Sequence, residues 1–193
     1  DPIDSGEVLL NGQPVHPKHP AEAVKLGIGL IPEDRKQQGL LLDLPIFTNI
    51  SMATMRDISR FTVVNSRAEK ENVNRLVEAV TIKTPSIAQL VRNLSGGNQQ
   101  KVVLAKWLAA NCKVLIFDEP TRGIDVGARH EIYKLMNELC RQGIAIVMIS
   151  SDMEEILGMS DRIMVLCEGH QAGILEREAF SQETILSLAS GQY

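Results

Sequence analysis

Asp118 and Glu119, two adjacent carboxylates, close the apolar run Val114-Leu115-Ile116-Phe117. Burying either charge alone at the end of such a strand is costly, so the pair calls for a cation, a hydrogen-bond donor or a hydrolytic task. A short way upstream, Leu94-Ser95-Gly96-Gly97-Asn98-Gln99-Gln100-Lys101 stands before an apolar-periodic run from Val102 to Ala110. Ser95, Gly96 and Gly97 can there expose unpaired backbone N–H groups at a helix N-terminus, which is an anion site. Alone, the carboxylates read as a solvated turn and the Ser-Gly-Gly as an ordinary capped helix start. Their succession in one stretch of chain is what points to chemistry.

These groups must be positioned by the elements around them. Glu7 to Leu10 followed by Asn11-Gly12 reads as a strand and tight turn, with Val15 beginning a return strand. Ala21 to Leu26 reads as a short helix and Ile28 to Ile31 as a buried strand. Pro32 to Pro45 is loop-rich, punctuated by Gly39. From Ile46 to Ala110 the pattern is mostly helical. Ser66 is expected to cap a helix through Val80, with Glu69 completing a capping box, and Val73, Leu76, Val77 and Val80 on one face. Beyond Val114 strands and helices alternate. Asp125 is placed to cap a helix whose apolar side is Ala128, Ile132, Leu135, Met136 and Leu139. Ile144 to Ile149 is continuously apolar, as a strand covered on both faces requires. Asp152 to Leu157 reads as a helix, Arg162 to Leu166 as a strand and Ser181 to Ala189 as a terminal helix. The sum is an α/β fold, a parallel-sheet core with a helical insertion. The two runs Val114–Asp118 and Ile144–Ile149 are expected to pair in parallel across the intervening helix.

The pair of motifs resembles the nucleotide-binding subunit of ATP-binding-cassette (ABC) transporters, with Ser95 to Lys101 as the signature motif and Val114 to Glu119 as the Walker B strand. The resemblance runs from about Ser5 to Ala189. Asp118-Glu119-Pro120-Thr121-Arg122-Gly123-Ile124-Asp125-Val126-Gly127-Ala128 is similar to the second ATPase half of bacterial monosaccharide importers, as are Pro32-Glu33-Asp34-Arg35-Lys36 and Ile149-Ser150-Ser151-Asp152. No Gly-x-x-x-x-Gly-Lys-Ser/Thr phosphate loop occurs. In the family it precedes a segment like Ser5 to Gly12. The chain is therefore expected to be a truncated P-loop domain whose phosphate loop lies upstream of Asp1, and to lack appreciable ATPase activity alone. Its parts would be an N-terminal core remnant (1–45), a helical subdomain carrying the signature (46–110) and a Walker B lobe with the last helix (111–193).

The resemblance also implies roles. Asp118 would hold Mg²⁺ and Glu119 would polarise the attacking water, a sufficient pair for phosphoryl transfer. Ser95, Gly96, Gly97 and Asn98 would grip the γ-phosphate of ATP bound by a second nucleotide-binding domain. Asn98 replaces the commoner glutamine and keeps its amide. Asp125 matches the loop that signals between the two sites, although capping alone would account for it. Pro32 to Lys36 lies where the family meets its transmembrane permease, although Arg35 and Lys36 also read as plain solvated charge. Two departures weigh on hydrolysis. Glu33 stands where many members carry glutamine, and can still meet Mg²⁺ with added negative charge. Ser151 stands where they carry a histidine that contacts the γ-phosphate; with Glu154 it also fits a capping box.

The expected function is thus ATP hydrolysis energising import of a monosaccharide at the cytoplasmic face of the bacterial membrane, as one half of a tandem pair, with a solute-binding protein as indirect partner. The alternative is a degenerate half-site that completes or regulates the partner cassette. A DNA-repair or chromosome-structure ATPase shares both motifs, but no sustained heptad run supports its coiled coils. Composition agrees with the main reading. The 193 residues, 44% hydrophobic, suffice for one substantial core. The formal charge of −4, without a basic block, argues against a nucleic-acid partner. No apolar run approaches the roughly 18 residues that cross a bilayer. Cys112, Cys140 and Cys167 sit in apolar stretches and read as buried thiols of a reducing compartment. His16 and His19, among prolines, read as a surface turn more than a metal pair.

Overall fold

The computed structural model describes residues 3, 5–55, 58–60 and 63–191. Its elements run β1 Val8–Leu10, β2 Gln13–Val15, α1 Pro20–Lys25, β3 Ile28–Ile31, α2 Ile46–Ser51, β4 Ser59–Arg60, β5 Val63–Val64, α3 Ser66–Ala79 and α4 Gly96–Ala109. They continue with β6 Val114–Asp118, α5 Val126–Arg141, β7 Ala145–Ile149, α6 Met153–Met159, β8 Arg162–Cys167, β9 His170–Glu176 and α7 Gln182–Ala189. The first hairpin turns at Asn11 and Gly12, whose φ values of 51° and 74° are the left-handed pair that a two-residue turn demands.

The apolar runs that bracket the carboxylates form a parallel sheet in the order β3-β6-β7. Its register sets Ile28 beside Val114 and Val114 beside Ala145, and ends with Asp118 opposite Ile149. The expected parallel pairing of the runs after Val114 and Ile144 is therefore present. Because strand side chains alternate, the sheet has two faces of different fate. Ile31, Leu115 and Phe117 point into the main core, beneath α4 and α5. On the opposite face Leu30, Val147 and Ile149 remain 47%, 51% and 51% exposed. The expectation that β7 is covered on both faces is not met: the described residues cover one.

Helix α3 buries Val73, Leu76 and Val80 on the anticipated face. Its cap is not Ser66, however. Asn65 takes the N-cap position and accepts from the Ala68 amide at 3.2 Å, while Glu69 lies one turn in and buried. The π-helical turn Arg35–Gly39 and the short hairpin β4-β5 interrupt segments read as loop and helix. Helix α4 is buried on nearly all sides, polar positions included, and touches α2, α3, β3 and α5. Gly97 makes this possible: a Cβ there would lie 2.7 Å from the Ala128 Cβ on α5. Further along, the buried Lys101 ammonium donates to Glu131 Oε2 at 2.7 Å and to the Thr81 carbonyl at 3.0 Å, and Lys83 reaches the other Glu131 oxygen.

Beyond β7 the chain departs from a simple α/β alternation. β8 pairs antiparallel with β9, an element with no separate signal in the sequence reading, and α7 packs on both. Ile163, Val165, Leu175 and Ile185 make a second apolar cluster there, joined by Met153, Ile156 and Leu157 of α6. Of the cysteines only Cys112 is buried; Cys140 is exposed and Cys167 half-buried, so the buried-thiol reading holds for one of them. No helix among the described residues is long and apolar enough to cross a membrane.

Two outcomes follow from this packing. Gly97→Ala should cost about 1–3 kcal/mol in denaturant unfolding, the usual range for overpacking, and Ala128→Gly added to it should recover part of the loss. Hydrogen bonds from Lys101 and Lys83 hold the Glu131 carboxyl down at about 2 against its ordinary 4.5. A depressed carboxyl stabilises the fold fully above its unfolded value and loses that contribution as pH falls toward its folded one. Stability measured between about pH 4.5 and 2 should therefore decline, and Lys101→Met should flatten that decline.

Candidate functional site

The carboxyl ends of parallel strands are where α/β folds collect their working loops. Here β3 delivers Glu33, β6 delivers Asp118 and Glu119, and β7 delivers Ser150 and Ser151 to one edge. Asp118 is half-buried, and its carboxylate has no hydrogen bond or ion pair among the described residues. Glu119 turns out of the strand with a left-handed φ of 47°. Its amide still donates to the Ile149 carbonyl at 2.9 Å, and its Oε1 accepts from the Ser151 amide at 2.8 Å. Glu119 is thus aimed by backbone on two sides.

The Ser151 side chain is exposed and does not cap α6. Asp152 is the N-cap, accepting from the Glu154 and Glu155 amides at 3.0 and 3.3 Å. A carboxylate outcompetes the preceding hydroxyl because it stands one residue nearer the first turn and carries full charge. The contribution of Ser151 to the site is its backbone N–H. Ser150, which had no assigned role, donates to the buried Glu155 at 2.5 Å and accepts from the Asp152 amide at 3.0 Å.

Between β6 and α5 the loop Pro120–Asp125 is tightly folded. The Arg122 amide donates to the Glu119 carbonyl and the Ile124 amide to the Thr121 carbonyl, both at 3.1 Å. Asp125 caps α5 as expected, accepting from the Ala128 amide at 2.9 Å. Three arginines gather at this loop: Arg35, which the sequence places at a permease contact or in solvent, and Arg122 and Arg129, to which it gives no individual role. Arg35 is only 8% exposed and donates to the Arg122 and Gly123 carbonyls at 2.9 and 3.2 Å. It is not a solvated charge, whereas Lys36 beside it is exposed. Burial pulls the Arg35 guanidinium below its ordinary value, with neighbouring Asp34 opposing. Arg129 of α5 donates to the Ile124 carbonyl at 3.4 Å and pairs with Asp152 at 3.1 Å. Arg122 forms an ion pair with Glu33. These contacts join residues distant in the chain, so no local pattern announces them.

At the start of α4, Ser95 occupies the N-cap position, yet its hydroxyl caps nothing. The Asn98 amide donates to Ser95 Oγ at 3.0 Å while its oxygen accepts from the Lys83 amide at 2.9 Å. The serine hydroxyl thus accepts from the Asn98 side chain and not from a backbone amide of the first turn. The Gly96, Gly97 and Asn98 amides have no protein acceptor among the described residues, which leaves their partial positive charge uncompensated at the helix start. Both glycines also serve packing: a Cβ on Gly96 would approach Arg35 Nη2 to 2.8 Å and the Gly123 carbonyl to 3.2 Å. No hydrogen bond joins Ser95 to Asn98 with Asp118 or Glu119 among the described residues. The predicted residues fall into two groups, with Asp118, Glu119, Ser151 and Glu33 at the sheet edge and Ser95 to Asn98 at the head of α4. Asp125 follows the loop between them. No cluster of three or more metal-ligating side chains occurs among the described residues.

The fold is that of an ATP-binding cassette. A cassette captured as a dimer in a post-hydrolysis state with ADP and Pi superposes with a TM-score of 0.74 at 20% identity, covering 93% of this chain and 77% of that one. The ADP conformation of a cassette from an ABC transporter gives 0.73 at 21% identity, covering 97% and 74%. The family model described as ABC transporter matches residues 1–122, and the chain belongs to that family. The ribose import ATP-binding protein RbsA of Bacillus licheniformis is 51% identical over 191 residues, 99% of this chain and 39% of its own length. The xylose import ATP-binding protein XylG of Moorella thermoacetica is 51% identical over 188 residues, 97% of this chain and 37% of its own length. The chain therefore spans less than two-fifths of these two relatives.

The corrected cap gives a direct test. Ser151→Ala should leave stability within about 0.5 kcal/mol of the parent, the usual scale for an exposed site. Asp152→Ala should cost about 1 kcal/mol or more, losing the cap and the Arg129 pair together. Chemical denaturation of both variants reads the difference.

Proposed function

We propose that this chain is the working part of an ATP-hydrolysing subunit that powers import of a monosaccharide, paired with a second cassette and seated on transmembrane permease subunits at the cytoplasmic face of the membrane. The observation that carries the proposal is the uncapped head of α4. A helix start whose own serine accepts from Asn98 and not from its amides is suited to receive an anion from outside the chain. The separation of Ser95–Asn98 from Asp118 and Glu119 supports a composite site, in which this chain's signature serves ATP held by the partner. The relatives support the transport assignment, since ribose and xylose import appear in their names.

In the same reading Asp118 and Glu119 serve the chain's own nucleotide. Mg²⁺ fits the first: its carboxylate has no partner among the described residues and lies at the strand ends where phosphates bind. When bound, the metal neutralises phosphate charge. Glu119 accepts a proton from, and so orients, an attacking water, its direction fixed by the Ser151 amide. Asp125 holds the N-terminus of α5 beside this loop and transmits its position between sites. Glu33, paired with Arg122, would have to leave that partner to meet the metal.

That ion pair, with the exposed Ser151 in the place of a histidine, favours a second reading in which this half binds ATP but turns it over poorly. Site-resolved nucleotide trapping in the full-length protein separates the two. Under the main reading Glu119→Gln lowers turnover at this half by at least about 100-fold, the usual minimum for removing a general base. Under the second it leaves most turnover intact, and Ser151→His raises it. Under both, Ser95→Arg stops trapping at the partner site by filling the anion pocket with bulk and charge. Intact trapping there would remove the composite-site proposal.

A further inference from the structure

Arg35 is buried, charged and far in sequence from everything it holds. Its two terminal nitrogens donate to consecutive carbonyls, Arg122 and Gly123, across the sheet edge. Its Nη2 also occupies the space a Cβ on Gly96 would need, 2.8 Å away, so the guanidinium lies against the first residue of α4. Its Nε is buried without an acceptor among the described residues, so the arginine keeps this place at a cost that two carbonyls and the Gly96 contact must outweigh. At its own end, Arg35 opens the π-helical turn that Asp34 caps through the Lys36 and Gln37 amides at 3.0 and 3.1 Å. Three segments meet at one side chain: the turn after β3, the loop that ends at Asp125, and the head of α4.

We propose that Arg35 is a positioning residue that locks the Glu33–Lys36 segment, the Arg122–Asp125 loop and the N-terminus of α4 into one moving unit, so that displacement of the first carries the other two. The geometry gives the lock its parts. A planar guanidinium meets two successive carbonyls at fixed spacing, which a single ammonium cannot do. Gly96 is the slot that admits it. The capture also presents Arg122, whose carbonyl is held, toward Glu33, so the charge at that position is compensated by the same arrangement. The functional consequence rests on the reading of Ser95–Asn98 as a phosphate grip; the mechanical coupling does not.

Hydrogen exchange on the full-length protein tests the coupling without any turnover. The amides of Arg122, Ile124 and Ala128 are bonded within the loop and helix start, and those of Lys36, Gln37 and Gln38 within the turn. Arg35→Met should speed exchange in both groups by at least about tenfold, the scale of one lost hydrogen bond to a charged group. Gly96→Ala should do the same by expelling the guanidinium. The double variant should be no worse than either single one, because the new Cβ then enters vacated space. Additive effects, or acceleration confined to residues 36–38, would overturn the lock. Should Arg35→Met fail to fold, Arg35→Lys carries the same test, with partial acceleration in both groups expected and unchanged exchange at residues 122–128 overturning it. A second readout addresses purpose: kcat of Arg35→Lys should fall with half-saturating ATP within about twofold of the parent, the pattern of an interaction used in the transition state. Coupled exchange with unchanged kcat would refute the functional role of the lock while leaving the phosphate grip to be judged by Ser95→Arg.

Discussion

Helix α4 imposes the constraint on which the rest of the structure depends: its body is buried on almost every side while its first amides have no acceptor among the described residues. A helix so enclosed cannot rely on an apolar stripe alone, and its polar residues must be matched one by one. Lys101 finds Glu131 and the Thr81 carbonyl, Lys106 finds the Gly39 carbonyl at 2.8 Å, and Gln99 reaches the Val91 carbonyl at 3.3 Å. Each of these partners belongs to a different segment. The helix is therefore a spine to which the turn after β3, the segment before α4 and helix α5 are separately pinned, and its N-terminal end inherits their combined rigidity.

That arrangement gives the glycines before the helix body a packing role of their own. Gly97 lets α5 come close, and Gly96 admits a guanidinium that belongs to another loop. The loop between β6 and α5 is held by its backbone carbonyls, from Arg35 on one side and Arg129 on the other. Side chains can then vary there while the path of the chain does not. Charge is balanced in the same economical way, with Arg122 on Glu33 and Arg129 on Asp152.

The legible parts of the sequence were those where one local pattern had one physical solution. The apolar runs at Val114 and Ala145 could only be strands, and their parallel pairing follows from the helix between them. Asp125 before a periodic stretch was legible as a cap, whatever else it does, and it is one. Where two polar residues competed for one job, at Asn65 against Ser66 and Asp152 against Ser151, spacing did not decide and local geometry did. β9 was invisible because its residues His170-Gln171-Ala172-Gly173 lack strand character, and it forms by pairing with β8. The arginine contacts were beyond reach for a different reason: Arg35 meets residues 87 and 88 positions away, and nothing in a charged loop marks one cation as buried.

Glu119 carries a consequence of another kind. A residue with a side chain held at φ 47° costs roughly 1–2 kcal/mol relative to a relaxed backbone, and glycine would remove that strain at once. The carboxylate and the strain are inseparable, because the same backbone turn that bends the strand also points Oε1 at the Ser151 amide. Directed evolution toward heat resistance alone would therefore find glycine or asparagine here, and the hardiest descendants of such a selection would be the ones that had lost this carboxylate.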